Sequence, residues 1–209
     1  MEKAPANLEL ILRYFSEFTA HQLSQYTALE HLYKEWNTKI NVISRKDIGS
    51  LYEKHILHSL SIASLDIFRS GYNILDIGTG GGFPGIPLAI FYPEVSFYLA
   101  DSISKKIKVV EEVVTALGLK NVTARHTRVE AIKNKTFDFT MSRAVAPLKD
   151  LWDWSKPLLR KTQPGLICLK GGDLKQEIAA IGTGVTTTRI YDLFPLEFFR
   201  EKYIVLCQP

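Results

Sequence analysis

Residues 73–87 read NILDIGTGGGFPGIP: a short apolar strand, an aspartate, a run of glycines and the start of a helix. Glycine lets a backbone turn sharply and approach a ligand at positions where a Cβ would collide, and the first N–H groups of a helix are free for polar ligand atoms. A strand, a glycine loop and a helix in this order are typical of nucleotide-type cofactor sites in α/β sheets. We therefore expect a parallel sheet with a ligand at the carboxyl end of this strand.

The glycine spacing alone does not identify the cofactor. Gly78, Gly80 and Gly82 form G-x-G-x-G, while Gly80, Gly82 and Gly85 match the dinucleotide pattern G-x-G-x-x-G. Asp76 at the strand end would repel a pyrophosphate but suits the sulfonium and ammonium groups of S-adenosylmethionine. The loop also lacks the Gly-Lys-Ser or Gly-Lys-Thr of a phosphate-binding P-loop. The sequence thus favours S-adenosylmethionine over NAD, with a ligand-free glycine turn as the other alternative.

The next apolar run, residues 95–100, is followed by Asp101. In a βαβ unit an acidic side chain at this point binds ribose hydroxyls, and the same geometry serves the adenosine part of S-adenosylmethionine. The alternative is a solvated aspartate at a strand end.

Periodicity divides the chain into two regions. Apolar residues at helical spacing predict helices over 8–18, 23–36 and 47–65, so residues 1–70 are expected to form a helical extension packed on a catalytic domain of residues 71–209. In that domain helices alternate with strands, which predicts an α/β, mostly parallel sheet. The expected strands are 73–77, 95–100, 121–125, 137–141, 166–169, 185–193 and 203–207, the last two forming an antiparallel edge.

Composition narrows the class of protein. The 209 residues carry 46% hydrophobic residues and a formal net charge of +4, enough apolar content for one well-buried domain and a charge that permits an anionic partner. Cys168 and Cys207 stand in apolar runs without metal-ligand spacing, which predicts buried reduced thiols, no metal and a cytoplasmic location. The chain shows neither an apolar signal sequence nor a membrane-length apolar segment, so no membrane partner is expected.

Several longer motifs stand out along the chain. They are the loop 76–87 with Pro84 and Pro87, Asp101-Ser102 with Lys105 and Lys106, Arg128-Val129-Glu130, Ser142-Arg143-Ala144, Leu169-Lys170-Gly171, residues 36–41 and residues 54–57. These motifs resemble the glucose-inhibited division protein B family (GidB, or RsmG), bacterial enzymes that methylate guanine N7 in 16S ribosomal RNA of the small subunit. The resemblance implies a Rossmann-like class I methyltransferase fold with a seven-stranded sheet and an antiparallel edge strand, S-adenosyl-L-methionine as cofactor, and 16S rRNA or the small ribosomal subunit as partner. We also expect a monomer.

The resemblance also implies roles for individual residues. The residues implied to bind the cofactor are Gly78, Gly80, Phe83, Asp101, Val129, Glu130 and Arg143. The residues expected to bind RNA are Lys105, Lys106, Arg143 and Lys170, all near predicted strand ends at the carboxyl edge. A structural salt bridge is the alternative for Arg143, and a solvated helix face is the alternative for the lysines.

No catalytic residue is assigned, because guanine N7 carries a free lone pair and its methylation needs alignment rather than proton removal. Arg143 is a possible residue of the cleft. Phe83 is a candidate for stacking on the base, and Trp152 and Trp154 are weaker ones, at least one of them expected in the core. His55 is expected to pack in the N-terminal helices, and His58, where the family often has Asp, receives no role. An NAD-dependent oxidoreductase and a non-catalytic RNA-binding module are the alternative functions.

Overall fold

The computed structural model of the protein describes residues 6–143, 145–161, 165–182 and 184–208. Within these ranges seven strands form one sheet in the order β3-β2-β1-β4-β5-β7-β6. Strands β1 to β5 pair in parallel, and β7 is antiparallel to both β5 and β6. The strands are β1 (Asn73–Ile77), β2 (Ser96–Asp101), β3 (Val122–His126), β4 (Phe139–Arg143), β5 (Gly165–Gly171), β6 (Val185–Arg189) and β7 (Lys202–Cys207).

This topology confirms the predicted α/β class and the antiparallel pairing of the last two strands. The structure adds that β7 lies one position in from the edge, which is formed by β6. The predicted strand 185–193 is too long, because the chain leaves the sheet after Arg189 and continues as a short helix. The order reverses between β1 and β4, so the carboxyl ends of these two strands flank a crevice of the kind that binds ligands in open α/β sheets.

Helices cover both faces of the sheet. They are α1 (Ala6–Leu12), α2 (Ala20–Lys39), α3 (His58–Leu60), α4 (Gly85–Phe91), α5 (Ser104–Leu117), α6 (Leu148–Ser155), α7 (Lys175–Ala179) and α8 (Ile190–Leu193). Short 3₁₀ turns occupy Ile48–Ser50, Ser61–Leu65, Val129–Ala131, Lys156–Leu158 and Glu197–Phe199.

The prediction of one regular helix over 47–65 is wrong. The segment consists of a 3₁₀ turn, a π-helical turn over Tyr52–Leu57, the three-residue α3 and a second 3₁₀ turn. Every residue from Ile56 to Ile62 is buried, which one face of a regular α-helix cannot achieve. π-helical turns are rare and occur often at functional sites, so this segment is a place to look for function.

The N-terminal helices share one hydrophobic core with the sheet. Helix α2 begins with a capping box between Thr19 and Gln22. From its inner face, Tyr26 donates a hydrogen bond from its hydroxyl to the carbonyl of Pro87 (2.8 Å), and the Tyr33 hydroxyl donates to the carbonyl of Gly81 (2.6 Å). Helix α2 therefore packs directly against the glycine loop and α4.

Other features of the core agree with the sequence. Cys168 and Cys207 are buried free thiols, and Trp152 is buried with 6% of its surface exposed. No helix among the described residues is long and apolar enough to cross a membrane.

Candidate active site

The glycine loop between β1 and α4 adopts backbone conformations that favour glycine. Gly78, Gly80 and Gly82 have φ values of 66°, 60° and 96°, a region in which a side chain costs roughly 1–2 kcal/mol. A Cβ on Gly78 would lie 2.6 Å from Cγ2 of Val145, which follows β4. Glycine at position 78 thus allows Val145 to pack directly against the backbone of the loop.

Asp76, at the end of β1, stabilises this loop by hydrogen bonds. Its Oδ2 accepts hydrogen bonds from the Thr79 hydroxyl (2.6 Å) and the Gly85 N–H (3.0 Å), and a Cβ on Gly85 would lie 2.9 Å from the same oxygen. The carboxyl group is fully buried, and burial raises the pKa of Asp76 to about 7. Its Oδ1 has no hydrogen-bond partner among the described residues. The predicted pairing of Asp76 with the cationic groups of a cofactor stays a prediction.

Asp101 connects the end of β2 to the same loop. Its Oδ2 accepts a hydrogen bond from the Gly80 N–H, and its Oδ1 accepts one from the Ile103 N–H, both at 2.8 Å. Asp101 as a whole is 7% exposed. Asp101 is therefore oriented by two backbone donors at the place where the sequence predicts ribose binding.

A cleft of about 200 Å³ opens beside these residues. It brings together four of the residues predicted to bind the cofactor, namely Gly78, Asp101, Val129 and Glu130. The last two belong to a 3₁₀ turn that follows β3 at the carboxyl edge of the sheet. The complete lining is Ile77, Gly78, Ala100, Asp101, Ser102, Thr127, Arg128, Val129, Glu130, Val145 and Trp154.

Three predicted cofactor residues, Gly80, Phe83 and Arg143, lie outside this lining. Gly80 contributes through its hydrogen bond to Asp101. Phe83 is buried at 2% exposure, with its ring 4.8 Å from that of Tyr33 and 5.1 Å from that of His55, measured between centroids. Trp154, by contrast, lines the cleft and was expected only as a weak candidate for stacking on the base. Trp152 and Trp154 are two positions apart, and the structure has the Trp152 ring in the core and the Trp154 ring at the cleft.

A second cavity, of about 500 Å³, lies at the carboxyl edge on the other side of β4. It is bounded by the end of β5, the start of β7 and the π-helical turn. The complete lining is Asp47, Lys54, His55, His58, Arg143, Leu169, Lys170, Gly171, Glu177, Phe198 and Lys202. The cleft and the cavity share no lining residue, and the end of β4 stands between them.

Arg143 connects β4 to the π-helical turn. Its Nη1 donates to the carbonyl of Lys54 at 3.2 Å, its Nη2 lies 3.0 Å from Nδ1 of His55, and its guanidinium lies 5.1 Å from the ring centroid of Phe83. Burial lowers the pKa of Arg143 to about 10, which leaves it charged at neutral pH. Burial, reinforced by the Arg143 charge, lowers the pKa of His55 to about 3. Since Arg only donates, Nδ1 of neutral His55 is the acceptor.

Lys170 is held within the protein. Its ammonium donates to the carbonyl of Ala146 and to Oε2 of Glu177, both at 2.7 Å, and the same carboxylate oxygen accepts the N–H of Leu148 at 2.7 Å. This network fixes Ala146 and the start of α6. Ala144 of the predicted motif falls outside the described residues. Lys170 lines the cavity, but its charge is already paired.

Lys105 and Lys106 lie in the first turn of α5, directly after Asp101. Lys105 is exposed, Lys106 is half-buried, and neither forms an ion pair with any described residue. Within the described ranges no cluster of three His, Cys, Asp or Glu side chains is arranged to hold a metal ion.

Comparison with known proteins places the chain in a family. Residues 20–202 match the family described as GidB, rRNA small subunit methyltransferase G. The ribosomal RNA small subunit methyltransferase G of Phocaeicola vulgatus is 53% identical over 206 residues, which cover 95% of this chain and 97% of that protein. The protein of the same name in Flavobacterium johnsoniae is 50% identical over 203 residues, covering 95% of this chain and 96% of that protein.

Solved structures confirm the fold. A mutant of MtNAS in complex with S-adenosylmethionine superposes with a TM-score of 0.59 at 16% identity, covering 99% of this chain and 84% of that one. A SAM-dependent methyltransferase from Aquifex aeolicus superposes with a TM-score of 0.55 at 19% identity, covering 79% of this chain and 98% of that one. The family match over most of the chain and the identity of about half to curated relatives give one conclusion: the chain belongs to the rRNA small subunit methyltransferase G family.

Proposed function

We propose that this protein transfers the methyl group of S-adenosylmethionine to N7 of one guanine in the 16S rRNA of the small ribosomal subunit. The main support for the proposal is the cleft at the carboxyl edge of the sheet, where the glycine loop, Asp101 and the Val129–Ala131 turn meet. The chain that forms this cleft also matches the methyltransferase family. A ribosomal acceptor also supports the expected cytoplasmic location.

The residues of the cleft fit this cofactor. Gly78 lines the cleft without a side chain of its own, and Asp101 presents a pre-oriented carboxylate for ribose hydroxyls. Val129 and Glu130 offer an apolar side chain and backbone groups for adenine. Trp154 adds an aromatic surface to the same cleft. Bound S-adenosylmethionine supplies an electrophilic methyl group. Gly80 serves indirectly by orienting Asp101, and Phe83 by supporting Arg143.

The protein contributes position rather than proton transfer. Guanine N7 holds an available lone pair, so the nucleophile needs no general base. Holding the reacting atoms in line with water excluded can lower a barrier by roughly 7–11 kcal/mol. The end of β4, between the cleft and the cavity, is the place where donor and acceptor would meet. Arg143 would act there by fixing the π-helical turn against β4.

For the RNA, we assign electrostatic attraction to Lys105 and Lys106. Their charges form no ion pair with the described part of the chain, and α5 begins beside the cleft residue Ser102. Arg143 and Lys170 are engaged with protein groups, which favours a role in shaping the acceptor side over direct phosphate binding. We further propose that the protein acts as a monomer, and light scattering coupled to size-exclusion chromatography tests this point.

The proposal is tested by binding and transfer measured together. Calorimetry should detect S-adenosylmethionine binding and no NADH binding, and labelled methyl should enter 16S rRNA that lacks the modification. NADH binding without S-adenosylmethionine binding would support an oxidoreductase. Cofactor binding, or RNA binding, without any transfer would support a non-catalytic module.

A further inference from the structure

The cavity beside Arg143 contains one ring nitrogen whose protonation is fixed by the protein. Nδ1 of His55 faces Nη2 of Arg143 at 3.0 Å, and a guanidinium has no lone pair to offer. Nδ1 is therefore the unprotonated ring nitrogen, and it accepts the hydrogen bond from Arg143. Because burial keeps the pKa of His55 at about 3, the ring is neutral at physiological pH and its proton resides on Nε2.

This Nε2–H finds no hydrogen-bond acceptor among the described residues. It differs from Nε2 of the neighbouring His58, which also lacks a partner there but is buried away from solvent. His55 is partly exposed and lines the cavity. The protein thus presents a neutral, oriented hydrogen-bond donor to a space of about 500 Å³, within the range of about 300–1,000 Å³ usual for small-molecule sites.

The ring is also held in place on several sides. Phe83 contacts it with a centroid distance of 5.1 Å, and Arg143 is itself fixed by the Lys54 carbonyl. Two acidic side chains of the cavity are neutralised, since Asp47 pairs with Lys54 at 2.5 Å and Glu177 pairs with Lys170 at 2.7 Å. Each pair is neutral as a whole, so the remaining charges of the lining are the positive ones of Arg143 and Lys202.

We propose that His55 selects the acceptor base by donating its Nε2–H to O6 of the guanine whose N7 is methylated. This inference rests on the proposed function. The exposed edge of guanine carries two acceptors, N7 and O6, whereas adenine carries N7 and an amino group. A hydrogen-bond donor placed at O6 leaves N7 of guanine free for the methyl group. With adenine, the same donor would face the amino group, which is also a donor. A neutral donor also avoids adding a further positive charge beside a base that becomes cationic on methylation.

The test pairs base analogues with His55 variants. The substrate is 16S rRNA ligated to carry guanosine, inosine or 2-aminopurine at the position that the wild-type enzyme methylates. Inosine keeps O6, and 2-aminopurine lacks it. The wild type should methylate inosine at nearly the guanosine rate and 2-aminopurine roughly 10- to 100-fold more slowly, as expected when a donor loses its partner.

His55→Asn keeps an oxygen for Arg143 but places no donor at the Nε2 position, so its inosine-to-2-aminopurine rate ratio should fall to about one. His55→Gln, which extends an amide N–H towards that position, should retain most of the preference. His55→Leu is a second loss variant in case the Asn variant does not fold. Cofactor affinity and circular dichroism serve as controls for folding.

A purely structural role would slow both analogues equally and leave the ratio at its wild-type value, which would overturn the inference. A wild-type ratio near one would also overturn it and would favour an RNA phosphate as the occupant of the cavity. A Gln variant that loses the preference as fully as the Asn variant counts against it as well. If the wild type methylates no guanosine in 16S rRNA, the proposed function itself fails.

Discussion

A substitution at Gly78, which lines the cleft, provides the sharpest mutational test of where the cofactor binds. Replacing Gly78 by Val forces a branched residue into φ = 66°, at a cost of roughly 1–2 kcal/mol in folding free energy. It also places a Cβ 2.6 Å from Cγ2 of Val145, between two residues that line the cleft. Overfilling typically costs about 1–3 kcal/mol, which corresponds to roughly 5- to 150-fold weaker binding. With two further methyl groups in the cleft, we expect the upper end of this range or a complete loss.

Gly71→Val is the matched control. Gly71 has φ = 80°, and a Cβ there would meet no atom within 4 Å, so this variant carries the backbone strain without the crowding. Both variants should lose stability in urea unfolding, Gly78→Val more because of its contact with Val145. Only Gly78→Val should lose S-adenosylmethionine affinity by calorimetry. A folded Gly78→Val protein with wild-type affinity would refute the placement of the cofactor in this cleft.

Three further predictions address the cofactor, the RNA and the pH dependence of stability. Asp101→Ala should weaken S-adenosylmethionine binding by roughly 1.5–3 kcal/mol, the value of a hydrogen bond to a charged group, without changing the base that is methylated; a shift to another base would contradict the assigned role. Replacing both Lys105 and Lys106 by Ala should lower the slope of log affinity for RNA against log salt by about one to two, whereas solvated lysines would leave two superimposed lines. Burial lowers the pKa of both His55 and His58 below the unfolded value of about 6.5, so stability is fully present above that pH and is lost as the pH falls, by about 1.4 kcal/mol per pH unit for each ring, towards pH 3 for His55. His58→Gln should make the loss of unfolding free energy below pH 6.5 shallower, and an unchanged pH profile would contradict this origin.

The sheet could be predicted from sequence because each buried strand is an apolar run bounded by polar or glycine residues. Strand β1 lies at the predicted residues 73–77, and most other strand ends differ by one or two positions. The segment 47–65 could not be predicted in the same way. Its apolar residues fit a helical period, but such a period does not distinguish a π-helical or 3₁₀ turn from an α-helical one.

The residues of the site likewise divide into those that could be predicted from the sequence and those that could not. Gly78 and Asp101 were predicted from the strand and glycine-loop pattern, and Glu130 from the family resemblance. The three line one cleft because the carboxyl ends of parallel strands meet at one edge of the sheet. The contacts of Arg143 with Lys54 and His55 join positions far apart in the sequence and became visible only in the structure. The same holds for the pairing of Lys170, whose charge alone suggested RNA binding.

The central claim is the identity of the methylated atom, and chemical mapping tests it directly. Small subunits lacking the modification are incubated with the protein and labelled S-adenosylmethionine, and the RNA is then treated with borohydride and aniline, which cleave the chain at N7-methylguanosine. We expect one methyl group per subunit and one cleavage site, at a guanine of the 16S rRNA. Incorporated label without cleavage, or cleavage at many guanines, would contradict transfer to N7 of a single selected base.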